Sequence, residues 1–233
     1  AGKYISDYSA AAPAAPAAVA DTFPSVPPPP TSASTALADE RQATISDPDF
    51  KRMTEEFERA SRKYPAQVSI YVKNLETRKE WSYKADRLMP SASLIKIPVM
   101  VGTFEKISNG ELSLDQNLVL TKVARRSGSG HLKWRRNGDR FTVRQLLEEM
   151  ISVSDNIAQE MLIREVGLEY LQARFPSYGL SVTNITRQGL SLSPRTSIEN
   201  YTTSREMGRI LEHIYRGEKF GRQTSAQMIE LLK

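Results

Sequence analysis

The sequence predicts a mixed α/β fold of the α+β type, preceded by an extended arm. After residue 47, apolar residues recur mostly at helical spacing, and one early segment alternates in the manner of a β-hairpin. N-terminal to residue 47, residues 10–36 contain ten Ala and seven Pro in 27 positions. Because proline fixes φ and has no N–H donor, that stretch should be extended and have no core of its own.

We expect the arm to span residues 1–46 and the folded domain to span residues 47–233. The simpler interpretation of the arm is a flexible spacer, and the alternative is a segment that becomes ordered on a partner. Its available anchors are Tyr4, Ile5, Tyr8 and Phe23. No run of 18 apolar residues occurs, so we expect no membrane span within these residues. Pro/Ala spacers are common in exported bacterial proteins, which suggests an extracytoplasmic domain that is tethered upstream to a membrane or wall.

The domain is predicted to begin with a helix and a hairpin. Residues 48–63 carry apolar side chains at helical spacing, with Asp47 at the N-cap position and Pro48 at the first helical position. Residues 68–72 alternate between apolar and polar side chains, and residues 80–83 follow across a short turn, which predicts two paired strands. No later segment of the sequence predicts a convincing buried strand.

The rest of the domain is predicted to be mainly helical. The expected helices are 95–107, 143–153, 156–166, 168–175, 203–216 and 224–232, with an irregular stretch over 176–200.

A Ser-x-x-Lys motif, Ser93 to Lys96, opens the first of these later helices. Residues three apart share one helix face, so the lysine amine can lie against the serine hydroxyl. A serine hydroxyl needs a nearby base to act as a nucleophile, and a lysine desolvated under apolar neighbours can lose its proton and serve as that base. The pattern alone is weak because it occurs by chance in many chains.

A second motif, Ser154-Asp155-Asn156, lies between two predicted helices. Its hydroxyl could relay a proton, and its amide could bind both a lysine and the carbonyl of a substrate. Taken alone, the motif is more simply explained as the N-cap of the following helix, since Ser and Asp are both favoured there.

Together the two motifs resemble those of the penicillin-recognising serine enzymes. Residues 91–100, Ser-Ala-Ser-Leu-Ile-Lys-Ile-Pro-Val-Met, resemble the nucleophile segment of class A β-lactamases, and residues 142–156 resemble the helix that leads to their second motif. The resemblance covers roughly residues 48–233. It implies a β-lactamase/transpeptidase-like fold in which helices cover both faces of an antiparallel sheet.

The resemblance also implies roles for individual residues. Ser93 would be the acylated nucleophile, Lys96 its base, Ser154 a proton relay, and Asn156 a ligand for the lysine and the substrate amide. The ligand would be a β-lactam or a D-Ala-type peptide.

Two departures from the family pattern bear on activity. No Lys-Thr-Gly or Lys-Ser-Gly, the family's third motif, occurs in the sequence. We therefore expect the remaining strands of the sheet to come from a continuation of the polypeptide, a cleaved fragment or another subunit. The family's loop glutamate, which activates the deacylating water, is replaced by Gln188 on ungapped counting, and glutamine cannot act as a general base. The expectation is an acyl-enzyme with poor or no deacylation, and the alternative is a non-catalytic binding or assembly subunit.

Composition excludes several other chemistries. Cysteine is absent, which rules out disulfides, thiolate metal sites and a cysteine nucleophile, and two histidines are too few for a histidine-rich metal site. We therefore expect no cofactor and no metal. His131 is expected to be a packing or surface residue, and His213 a structural one.

Residues 51–233 carry a net charge of +9, and residues 122–144 contain eight cations and a single acid, Asp139. This stretch is either a solvated face or a surface that attracts a carboxylate ligand or an anionic wall or lipid polymer. Nucleic acid is not expected because no binding motif accompanies the charge.

Overall fold

The computed structural model describes residues 48–187, 190 and 199–233. The predicted arm over 1–46, the cap residue Asp47 and the loop residue Gln188 lie outside these residues, so the predictions that concern them stay predictions.

The domain begins with the predicted helix, α1 (Pro48–Lys63). Asp49 in its first turn and Arg62 with Lys63 in its last turn complement the helix dipole. The predicted hairpin follows and is confirmed, with β1 (Ile70–Lys73) antiparallel to β2 (Glu80–Tyr83).

Helices form most of the rest. A 3₁₀ turn (Ala92–Ile95) leads directly into α2 (Lys96–Ser108), and the later helices begin and end within two residues of the predicted positions. They are α3 (Val143–Ser152), α4 (Asn156–Val166), α5 (Leu168–Arg174), α6 (Ser204–Arg216) and α7 (Arg222–Leu232). The core lies among these helices, and its fully buried side chains include Val99, Met100, Leu146, Leu147 and Leu162.

The sequence predicts no convincing buried strand beyond the hairpin, and the structure adds four short strands that are for the most part not buried. β3 (Met89–Pro90) pairs with β6 (Tyr201–Thr202), and β4 (Asn117–Val119) pairs with β5 (Arg140–Thr142), both antiparallel. These strands are two or three residues long, too short to display the alternation by which a strand is recognised. The α+β class itself is confirmed, since helices combine with small antiparallel sheets.

Two sets of contacts fix how the helices pack within the domain. Helix α6 packs on β1 at Gly208, where a Cβ would lie 2.3 Å from the Tyr71 ring, so only glycine allows this approach. Glu105 on α2 accepts hydrogen bonds from Tyr170 (2.8 Å), Tyr178 (2.5 Å) and Arg174. Burial would raise the pKa of Glu105, but the hydrogen bonds from Arg174 and the two tyrosines lower it. The ionised Glu105 therefore ties α2 to the segment that follows α4.

Candidate active site

Lys96, at the first position of α2, is the centre of a polar cluster. Its side chain is buried, with 4% of the residue exposed. The Nζ donates to Ser93 Oγ at 3.2 Å, Ser154 Oγ at 3.0 Å and Asn156 Oδ1 at 2.9 Å. The fold thus joins the two sequence motifs, which are about 60 residues apart, around a single amine.

Ser93 lies above this amine at the solvent-facing side. The residue is exposed and belongs to the 3₁₀ turn that opens α2. Its Oγ is 2.8 Å from Ser154 Oγ, so the two hydroxyls share a hydrogen bond as well as the lysine. A ligand could therefore reach Ser93 while Lys96 stays shielded from water.

The amine of Lys96 loses its proton more easily than an ordinary lysine. Burial lowers its pKa from 10.5 to about 8, against an opposing effect of the nearby Asp155 carboxylate. A desolvated amine with such a pKa has a neutral fraction at physiological pH and can accept a proton.

Asp155, between the two residues that contact Lys96, turns out to be a structural anchor. Its Oδ1 accepts from the backbone N–H groups of Ile157 (2.8 Å) and Ala158 (2.9 Å), which caps α4. Its Oδ2 accepts from the N–H of Leu132 at 2.8 Å. The cap interpretation of the motif is thus correct for its middle residue, and the residues on either side reach Lys96. Ser154 has a φ of +58°, an uncommon value for a non-glycine residue that turns its hydroxyl toward the site.

The segment Ser127–Gly130 forms one wall of the site and was not singled out from the sequence. Asn156 donates from Nδ2 to Ser127 O at 2.9 Å and from its backbone N–H to Ser129 O at 3.1 Å. Gly130 has a φ of +114°, and a Cβ there would lie 2.0 Å from Asp155 Oδ2. The alternating Ser-Gly-Ser-Gly sequence was the available signal, because glycine permits close backbone approach.

Glu160, one turn after Asn156 on α4, was also missed. Its side chain is 2% exposed, and its Oε1 lies 2.9 Å from Arg126 Nη2, 2.6 Å from Arg164 Nε and 2.9 Å from Arg187 Nη1. Arg126 precedes the wall segment and Arg187 precedes the loop that contains Gln188. One buried carboxylate thereby joins Arg126 and Arg187 to the helix that carries Asn156.

The two histidines do not join the cluster. His131 is exposed and its Nδ1 lies 3.2 Å from Glu149. His213 packs edge-on against Phe220, and burial lowers its pKa. Within the described ranges, no group of three or more acidic or histidine side chains could hold a metal ion. No helix in the same ranges is long and apolar enough to cross a bilayer.

The chain is similar to known proteins in sequence and in fold. A family model described as the β-lactamase enzyme family matches residues 52–233. The β-lactamase VEB-1 of Pseudomonas aeruginosa is 25% identical over 104 residues, which is 44% of this chain and 35% of that protein. The matched segment therefore spans about a third of the length of this curated relative.

Solved structures agree on the fold. A variant of PBP-A, captured as an acyl-enzyme complex with penicillin G, superimposes with a TM-score of 0.70 at 22% identity, covering 78% of this chain and 68% of that one. A β-lactamase from Sphaerobacter thermophilus gives a TM-score of 0.68 at 25% identity, covering 74% and 65%. Since the family model extends over most of the domain, the chain belongs to the β-lactamase enzyme family.

Proposed function

We propose that this domain reacts with β-lactams or D-Ala-type peptides to form an acyl-enzyme at Ser93. The observation that carries the proposal is the buried amine of Lys96, which contacts Ser93, Ser154 and Asn156 and has a pKa lowered to about 8. Such an amine is the general base that a serine nucleophile requires.

In the proposed reaction, Ser93 Oγ attacks the β-lactam carbonyl carbon and its proton passes to the neutral Lys96 Nζ. The tetrahedral oxyanion is stabilised by backbone N–H groups, including that of Ser93, at the start of α2. Ser154 then relays a proton from Lys96 to the ring nitrogen as the C–N bond breaks, which leaves the acyl group on Ser93. Asn156 holds the Lys96 amine and has the amide chemistry to bind the amide group of the substrate.

We further propose that the acyl-enzyme is long-lived. The support is Gln188, which stands in the sequence where the family's loop glutamate is expected and cannot activate a water molecule as a base. A chromogenic cephalosporin should therefore give a burst equivalent to the enzyme present, followed by negligible steady hydrolysis. Rapid steady hydrolysis that disappears in Ser93→Ala would contradict this expectation.

The test of acylation is covalent labelling with a fluorescent penicillin. Wild-type protein should retain the label after denaturation, and Ser93→Ala should not. Ser91→Ala is the matched control, because Ser91 is buried two residues away and has no part in the proposed reaction. The Ser91→Ala variant should take up the fluorescent penicillin to the same extent as the wild-type protein.

If the folded protein takes no label but binds a penicillin reversibly, the non-catalytic binding subunit becomes the better description. Either role fits an extracytoplasmic location, which is where proteins of this family typically work and where their ligands are found.

A further inference from the structure

A basic lobe is formed by the two segments that flank the Ser127–Gly130 wall in the sequence. We define it as residues 117–126 and 132–142, which pack as one unit. β4 pairs with β5, Leu120 donates to Asp139 O, and the Arg125 guanidinium binds the carbonyls of Leu132 and Arg135. Arg125 is thus a structural residue of the lobe, which the sequence alone did not reveal.

The lobe carries a strong excess of positive charge. It contains seven Lys and Arg residues and a single acid, Asp139. Asp139 pairs with Arg135 at 3.0 Å, and Arg126 pairs with Glu160 outside the lobe. Its other exposed cations are Lys122, Lys133, Arg136 and Arg140.

Acidic side chains border the lobe at one cleft. Glu148 and Glu149 on α3, with His131, line a cleft of about 440 Å³ that Arg135 and Arg140 also line. These carboxylates partly neutralise the positive charge at that edge, whereas the surface around residues 133–136 remains strongly positive.

Large apolar side chains are exposed among these cations. Trp134 is 80% exposed, Val123 is 60% exposed and Val119 is 41% exposed. Lys133 Nζ lies 5.4 Å from the centre of the Trp134 ring, so the indole and a cation form one exposed unit. An exposed indole together with exposed valines and clustered cations is typical of a surface that binds a partner.

We propose that the basic lobe binds the headgroup layer of an anionic phospholipid bilayer, with Trp134 inserted at the interface. Tryptophan is favoured at the level of the headgroups, and clustered Lys and Arg are attracted to anionic lipid. A soluble polyanion would use the cations alone, whereas the bilayer also accounts for the exposed indole and valines. The attachment does not depend on the reaction at Ser93.

The test uses phosphatidylcholine vesicles with and without phosphatidylglycerol. The chain has two tryptophans, so Trp81→Phe leaves Trp134 as the only indole and a direct reporter. We expect the protein to sediment with the phosphatidylglycerol vesicles, the fluorescence of Trp134 to shift to the blue on binding, and added salt to release the protein.

Two sets of variants make the test specific. Replacing Lys122, Arg136 and Arg140 by Gln should weaken vesicle binding on the order of a hundredfold, from roughly fivefold for each cation near the surface. The control variant replaces Arg59, Lys63 and Lys219, three cations outside the lobe, by Gln. It loses the same amount of positive charge and should bind vesicles nearly as well as the wild type. Trp134→Ser should lower the salt concentration at which the protein leaves the vesicles, while leaving the fold intact.

Three results would overturn the proposal. The first is the absence of any preference for phosphatidylglycerol. The second is an equal loss of binding in the control triple variant, which would mean that net charge alone is responsible. The third is binding to a soluble glycerol-phosphate polymer with no vesicle binding, which would assign the lobe to a wall polymer.

Discussion

Replacing Asn156 by Asp should raise the pKa of Lys96 and move acylation to higher pH. Asn156 Oδ1 accepts a hydrogen bond from Lys96 Nζ at 2.9 Å, and aspartate has the same shape with a negative charge at that position. An adjacent carboxylate stabilises the ammonium form, so less of the neutral amine is available at any given pH.

The size of the effect follows from the lowered pKa. With a pKa of about 8, about a tenth of the Lys96 amine is neutral at pH 7. An opposite charge at this distance raises the pKa of an amine by about 1 to 3 pH units. The midpoint of the pH profile should therefore move from near 8 to between about 9 and about 11, and the acylation rate at pH 7 should fall between about tenfold and about a thousandfold.

The assay is the single-turnover rate of penicillin labelling, measured from about pH 6 to about pH 10, and a variant midpoint above that range is seen as a rate that still rises at the upper end. Asn156→Ala is the control, because it removes the same amide without adding charge. It should slow labelling at every pH and leave the midpoint at or below that of the wild type. Two results would refute the role of a neutral Lys96. One is a labelling rate of the Asp variant with the same pH midpoint as the wild type, and the other is a wild-type rate that keeps rising tenfold per pH unit through pH 9.

Three further substitutions test other parts of the account. Lys96→Arg should abolish labelling and preserve the fold, because guanidinium stays protonated, and undiminished labelling would make the lysine purely structural. Glu160→Gln should lower the free energy of unfolding by about 2 to 3 kcal/mol in chemical denaturation, since it leaves three partly exposed guanidinium groups beside an uncharged amide. The control is Glu165→Gln, at an exposed position on the same helix. An equal loss of stability in the two variants would contradict the stabilising role of the buried Glu160 carboxylate. Gly130→Ala should destabilise the protein more than Gly138→Ala, because both have positive φ (+114° and +95°) but only the first Cβ would meet another atom, at 2.0 Å.

The contact between Ser93 and Lys96 was predictable from the sequence because the motif is local. Ser93 and Lys96 are three positions apart at the start of a helix, and that spacing alone predicts their contact. Their meeting with Ser154 and Asn156 depends on how α2 packs beside α4, which local pattern does not determine. The resemblance to a family supplied that step.

The parts that were missed depend on contacts between distant segments. Glu160 has an ordinary place on an amphipathic helix, and only the fold brings Arg126 and Arg187 to it. The sequence predicts one basic face over residues 122–144, yet Arg125 binds backbone carbonyls of its own lobe and Arg126 pairs with the buried Glu160. In the same way, β3 and β6 are separated by more than 100 residues and are too short to be recognised individually.

The most direct test of the central claim is mass spectrometry of the protein after incubation with penicillin G. The account predicts that the intact mass increases by one penicilloyl group and that the modification lies on the peptide that contains Ser93. It also predicts no adduct on Ser93→Ala. An unmodified wild-type protein that is folded, or an adduct on another residue, would contradict the assignment of Ser93 and Lys96 as nucleophile and base.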